Sequence, residues 1–445
     1  MLKKEDVMEN KNIIQKNIGF FPALALVMGT VIGSGVFFKV SNITEVTGTP
    51  GMTLLVWLLG GVITICAGLT VAELAAAFPR NGGLTTYIEY TYGKFSGFLA
   101  GWAQSFIYFP AMIAAQAIVF SEQVLNLLHL KDGWIVPVAF IAVASIYLIN
   151  IIGSKTGGLL QSVTLVVKLI PLIVIIIFGL MNTGDVEVSL APNAGDTGIN
   201  FFTAIGAGLL ATMFAYDGWI HVGNIAGEMK NPKRDLPLAI VLGLGLVTVI
   251  YLLINATFLY TMPIEDLKGN LSAATDASEM LLGDMGGKLV TIGILISVYG
   301  ALNGYTMTGM RLPYAMAEKN ILPFKESFMK VTNAGIPWFS GLVQVIIGAI
   351  MITSRSFDAI TNMLVFVIWA FYVMAFYAVF VLRKRESELE RPYKVPLYPV
   401  IPAIAIIAGV FVMVNTLFTQ PVLAIVGIII TLLGIPIYKM RIRVK

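Results

Sequence analysis

A chain of 445 residues that is 57% hydrophobic and only 12% charged carries about half the roughly 25% charge of an ordinary soluble domain, which excludes a water-soluble fold. Its single cysteine, Cys66, cannot form a disulfide within the chain or a thiolate metal centre, and His129 and His221 stand far apart in sequence, against a histidine metal site. The net charge of +4 comes without a long basic or low-complexity segment, so no nucleic-acid partner is expected.

The chain begins with a polar arm, residues 1–16, carrying Lys3, Lys4, Glu5, Asp6, Glu9, Lys11 and Lys16. No small-residue cleavage site follows, so the first apolar run reads as a retained span and not as a signal peptide. A bilayer-crossing helix needs about 20 mostly apolar residues. Twelve runs qualify: 17–43, 52–78, 95–127, 134–152, 158–181, 200–225, 236–262, 286–317, 337–352, 359–382, 400–418 and 421–438. The expected fold is an all-α polytopic membrane protein with twelve transmembrane helices. With both ends in the cytoplasm, about 23 of the 29 lysines and arginines fall inside, about five outside and one, Lys168, within a span. That bias predicts a protein of the cell membrane whose N-terminal arm and C-terminal tail, 439–445, are cytoplasmic. The segment 182–199, with Asp185, Glu187 and Asp196 and no basic residue, is placed outside.

The first run is interrupted at its centre by "MGTVIGSGVF", residues 28–37, and the sixth by "ATMFAYDGWIH", residues 211–221. Irregular backbone at membrane depth is tolerated only where it is buried in protein or lines a wet cavity. Paired interruptions at corresponding places point to an inverted-repeat transporter. The halves are then spans one to five (17–182) and six to ten (200–382), with the last two (400–438) appended. Gly33 and Gly35 are expected to relieve the Cβ penalty of unusual dihedrals. Unwinding there starts a half-helix near Val36, whose unpaired N–H groups suit a carboxylate. The carbonyls ending half-helices near Val31 and Phe214 suit an ammonium group. Together these describe a site for the backbone of an α-amino acid. A branched side chain at Gly35 is expected to block binding and leave folding largely intact. Gly97 and Gly101, in "GFLAG", read instead as close helix packing. "GAGLLA", residues 206–211, matches a dinucleotide-binding pattern but lies inside an apolar run, without the strand and helix that motif needs. No cofactor is expected.

"GSGVF" (33–37), "FAYDGW" (214–219), "FPRNGGLTTYIEYTYG" (78–93) and "GEMKNPKRDLPLAI" (227–240) together resemble the L-amino-acid transporter branch of the amino acid–polyamine–organocation superfamily. The likeness runs over essentially the whole chain and is nearest to bacterial exchangers of small neutral amino acids. It implies the five-plus-five inverted-repeat (LeuT-like) fold with discontinuous helices one and six. It also implies that the substrate carboxylate meets the N–H groups and hydroxyl of Gly33, Ser34 and Gly35. The amine would meet carbonyls of Val31, Phe214 and Asp217, with Ala215 part of the same site. Phe214 would be an aromatic lid, and Tyr251 would hold the first span near its break. Animal relatives carry an extracellular cysteine that links them to a glycoprotein subunit. "LHLKDGW" (128–134) has none, so no disulfide-linked heavy chain is expected.

Lys168 lies ten residues beyond Gly158, about 15 Å at 1.5 Å per residue, too deep to snorkel easily. Sodium-coupled proteins of the implied fold hold a cation beside the first break. A tethered ammonium at Lys168 can take that place, donating to carbonyls near Gly29–Ile32 and to Ser297. Alternatively Lys168 titrates, which would make the protein a proton symporter. Asp217 reads as a cap of the restarted sixth helix, above direct side-chain contact with substrate. Tyr108, Phe214, Tyr216 and Trp369 are bulky enough to crowd the cavity. Glu73, Glu89, Glu228, Arg311 and Glu318 fit either solvated faces or a closing ion-pair network. An enzyme would need a reactive pair at membrane depth, yet Lys168 and Asp217 stand on different spans without His or Cys to join them. The expectation is a sodium-independent exchanger of small neutral L-amino acids (Ala, Ser, Thr, Cys) working by alternating access.

Overall fold

The computed structural model describes residues 19–78, 83–153, 160, 163–164, 167–181, 186, 188–191, 200–221 and 229–443. The arm 1–16, most of 182–199, the start of the fifth run, Glu228 and parts of two of the four motifs lie outside the described residues. Elsewhere the chain is helical, and no strand forms among the described residues. The helices are α1 (Phe20–Val31), α2 (Gly35–Thr47), α3 (Pro50–Ala77), α4 (Gly83–Tyr92), α5 (Lys94–Ala103), α6 (Phe109–Leu128), α7 (Ile135–Ile152) and α8 (Leu169–Met181). They continue with α9 (Phe201–Ala215), α10 (Pro232–Thr261), α11 (Ala273–Gly309), α12 (Arg311–Glu318), α13 (Trp338–Ile352), α14 (Phe357–Arg385), α15 (Val400–Thr419), α16 (Pro421–Leu432) and α17 (Gly434–Arg443).

Among the described residues, nine helical stretches are long and apolar enough to cross a membrane. The pair α1–α2 would add a tenth, bent by 42° at its break, and α8 and α13 are shorter apolar helices. Local sequence sets their ends. Pro50 occupies the first turn of α3, where a missing N–H costs nothing. Gly48, at φ 71°, ends α2 in the left-handed conformation. Asn200 caps α9 by accepting from the Thr203 N–H at 2.9 Å.

Two irregularities interrupt the apolar runs. The third run is divided by a π-helical turn, Gln104–Tyr108, between α5 and α6; such turns occur often at functional sites. The eighth begins earlier than hydropathy indicated, at Ala273, and kinks at Gly283, whose φ of 73° breaks the helix. Gly97 and Gly101 do serve packing. An added Cβ would lie 2.5 Å from Glu89 Cβ at Gly97 and 3.0 Å from Met316 Sδ at Gly101.

Helix α3 lies along α10, α1 rests on α10 and α2 on α9, while α6 is enclosed by α7, α11 and α13. Helix α14 packs against α4, α6, α15 and α16. Of the charged residues at these ends, Glu73 stands in a buried ion-pair network, Glu89 pairs at the surface, and Arg311 and Glu318 are exposed. Glu73, 2% exposed, accepts from Arg383 Nε at 2.9 Å and Nη2 at 2.5 Å and from the Val395 N–H at 2.8 Å. Arg391 Nε approaches the same carboxylate at 3.6 Å. Glu89 pairs with Lys319 at 2.7 Å, Tyr90 donates to Glu386 at 2.7 Å, and Arg311 donates to the Met307 carbonyl. The Tyr90 hydroxyl and then Arg385 hold the Glu386 carboxyl below its usual range.

Candidate functional site

The two interruptions lie against each other. Helix α1 stops at Val31, Ile32 leaves the helical region at ψ 95°, and α2 restarts at Gly35, with the N–H groups of Phe37 and Phe38 returning to Ser34 O at 3.0 and 3.1 Å. The N–H groups of Gly35 and Val36 open a helix and so have no acceptor within it. Ser34 is fully buried, and its Oγ makes no hydrogen bond. In the sixth run α9 stops at Ala215 and a turn covers Tyr216–Gly218.

The glycines act differently from expectation. Neither Gly33 nor Gly35 is among the residues with positive φ; Gly218 is, at φ 108°. A Cβ at Gly35 would sit 2.5 Å from Ala215 Cα, and one at Gly218 would sit 2.7 Å from Thr30 O. These two glycines let the breaks touch backbone to backbone. Around Gly33 there is space, with only Val31 O at 4.0 Å. The expectation that Gly35→Val leaves folding intact is therefore corrected, because the added carbons would collide with α9.

Tyr251 ties the two breaks together. Its hydroxyl lies 2.9 Å from Val31 O and 3.0 Å from Ala215 O, so one proton is shared between the last carbonyls of α1 and α9. Phe214 O accepts from the Asp217 N–H at 3.2 Å. Val31 and Phe214 carbonyls thus each have one partner already and keep a second lone pair for another donor.

Lys168 reaches the same break from the start of α8. It is 3% exposed, and its Nζ donates to Ile32 O at 2.9 Å and to Gly29 O. The expected contact with Ser297 is not made, since Ser297 Oγ is buried without a hydrogen-bond partner. The carbonyls at the end of α1 carry the negative end of its dipole and are stronger acceptors for an ammonium than a neutral hydroxyl.

Asp217 is held mainly by side chains from elsewhere, and the half-helix it is expected to cap runs on into residues outside the described ones. Its carboxylate accepts from Tyr108, at the end of the π turn, from Tyr372 of α14 at 2.9 Å and from the Gly218 N–H. His221 Nε2 lies 3.1 Å from the Tyr108 hydroxyl. Two buried phenols and a backbone N–H satisfy a carboxylate without a cation. No group of His, Cys, Asp and Glu suited to a metal occurs among the described residues.

Of the bulky side chains, Phe214 stands at the break, 4% exposed and edge-on to Phe357 at 5.4 Å between centroids. Tyr216 points elsewhere. Its hydroxyl donates to Trp57 O at 3.1 Å and its ring packs against Trp57 and Tyr251. Trp369 faces α15, where a Cβ on Gly409 would come within 3.1 Å of its ring. Neither crowds the space between the breaks. Sequence reading missed Lys39, although it sits inside the first apolar run. It is fully buried and lies 5.4 Å from the Phe214 ring centroid. Tyr372 carried no signal beyond being one aromatic residue in an apolar run.

The family model for amino acid permeases matches residues 18–436. The chain is 43% identical over 429 residues to the serine/threonine exchanger SteT of Bacillus subtilis, covering 96% of this chain and 97% of that one. It is 27% identical to the human cystine/glutamate transporter over 98% of this chain and 87% of the relative. It is also 29% identical to the mouse b(0,+)-type amino acid transporter 1 over 92% and 84%. Those relatives are transporters and not enzymes. With two interrupted apolar runs meeting at one site, the chain belongs to the amino acid permease family and is a multi-pass membrane transporter of amino acids.

Proposed function

We propose that this protein exchanges small neutral L-amino acids across the cell membrane without sodium, by alternating access around the paired breaks. The observation that carries the reading is Lys168, whose ammonium is fixed on the carbonyls of Gly29 and Ile32. A fixed cation at the first break leaves no role there for an ion drawn from solution. The driving force is then the amino acid gradients themselves. Serine and threonine, named in the 43% identical relative, are the first substrates to test, with alanine and cysteine next.

The substrate carboxylate meets the opening N–H groups of α2 and the unpartnered Ser34 hydroxyl. The amine uses the remaining lone pairs at Val31, Phe214 and Asp217 beside Ala215, and Phe214 covers the site. The architecture we infer has twelve membrane helices in two inverted halves, 17–182 and 200–382, followed by 400–438, with 1–16 and 439–445 cytoplasmic. The packing of α3 on α10, and of α2 on α9, supports it. No disulfide-linked subunit enters this reading.

A test needs only competing ligands. Losing a charge-assisted hydrogen bond costs about 1.5–3 kcal/mol, more than a factor of about ten in affinity. L-alanine amide is thus expected to compete with labelled L-serine uptake at least about tenfold more weakly than L-alanine. Equal competition by the two would remove the carboxylate from the first break.

A further inference from the structure

Lys39 stands on α2, beyond the first break, and none of it is exposed. Its Nζ lies 2.5 Å from Asp358 Oδ1 and 2.6 Å from Thr361 Oγ1, both in the first turns of α14. The same ammonium lies 4.8 Å from the Phe357 ring centroid and 5.4 Å from that of Phe214. One side chain thus joins α2, the start of α14 and the aromatic residue at the end of α9. The Asp358 side chain is 34% exposed against 0% for Lys39, so water reaches this cluster from the Asp358 side and stops at the lysine.

We propose that Lys39, Asp358 and Thr361, with the Phe214 and Phe357 rings, form a charge latch that closes this end of the substrate site, and that parting Lys39 from Asp358 opens it. The inference rests on the transporter reading above and adds the residues that govern one of its two closures. A buried ion pair contributes little net stability, because desolvation offsets most of the attraction. Opening returns the Lys39 charge to water, where Asp358 already partly stands, and recovers most of that desolvation cost. Neither state is then deeply favoured, as a protein that must visit both requires.

The two partners are therefore not equivalent. Asp358→Asn leaves the Lys39 cation buried with only Thr361 and two ring faces, which weakens the closed state. Lys39→Met places a side chain of similar length against the two rings, where sulfur–aromatic contact is favourable. It removes the charge that gains by reaching water, while Asp358 remains solvated on its exposed side. The single variants should shift the protein in opposite directions, and the double variant should follow Lys39→Met.

Amide hydrogen exchange in lipid nanodiscs reads this without substrate, so it fails separately from the transport assignment. Relative to the unaltered protein, Asp358→Asn should raise exchange in segments 35–47 and 357–365 by at least about tenfold. Lys39→Met should slow the same segments, and Asp358→Asn combined with Lys39→Met should stay slow. If Asp358→Asn alone gives too little folded protein, recovery of folded protein in the double variant is the expected result. Both single variants shifting the same way, unchanged exchange in Asp358→Asn, or a double variant that stays open or unfolded would overturn the latch.

Discussion

Replacing Lys168 by alanine is expected to lower the exchange rate per molecule by more than about tenfold while the amount of protein in the membrane falls much less. The substitution deletes the donor that Gly29 O and Ile32 O share. Each buried acceptor left unpaired costs about 1–3 kcal/mol, and both lie within four residues of the break in α1–α2. That cost falls on the working geometry of one half-helix, whereas the contacts of α3 with α10 and of α6 with α11 are untouched. Lys168→Met, which keeps the length of the side chain and loses the charge, should behave like alanine. The check is the initial rate of counterflow normalised to reconstituted protein. A Met variant that exchanges at the normal rate would show that the stem of Lys168 matters and its charge does not.

Among the glycines, Gly35→Val should do more damage than Gly33→Ala, and of a different kind. At Gly35 even the first added carbon would stand 2.5 Å from Ala215 Cα, a distance backbone must move to relieve. Overpacking of this sort costs about 1–3 kcal/mol or more, and here it separates the two breaks that Tyr251 bridges. The expected result is a large loss of monodisperse protein and of thermal stability. Gly33→Ala meets nothing closer than 4.0 Å, so it should fold normally and instead weaken L-serine binding through the methyl group it puts into the open space. Size-exclusion profiles, thermal unfolding and binding of labelled serine separate the two effects. Equal stability of the two variants would mean that α2 and α9 are not in the contact described.

How far the sequence can be read follows from the range of each interaction. Apolar runs are local, so every predicted run contains a helix of the structure. Breaks are local too: glycine and aspartate at membrane depth marked both 33–35 and 217–218. Partners are not local. Lys39 bonds to residues 319 and 322 positions away, and nothing near Lys39 announces them. Asp217 reads as a cap because an aspartate before a helical turn usually is one, whereas the two tyrosines that clasp it come from α14 and the π turn and leave no local mark. The same limit explains Gly35, whose requirement comes from Ala215 and not from its own dihedrals. Analogy of fold places Ser297 beside Lys168, whereas the carbonyls of α1 hold the amine.

The most direct measurement is L-serine uptake into proteoliposomes in which choline replaces sodium on both sides, at matched pH, with and without internal L-serine or L-alanine. With Lys168 as a fixed cation, uptake should be fast only into loaded vesicles and unchanged by added sodium. A requirement for sodium, or uphill accumulation into empty vesicles driven by an inward pH step alone, would contradict it.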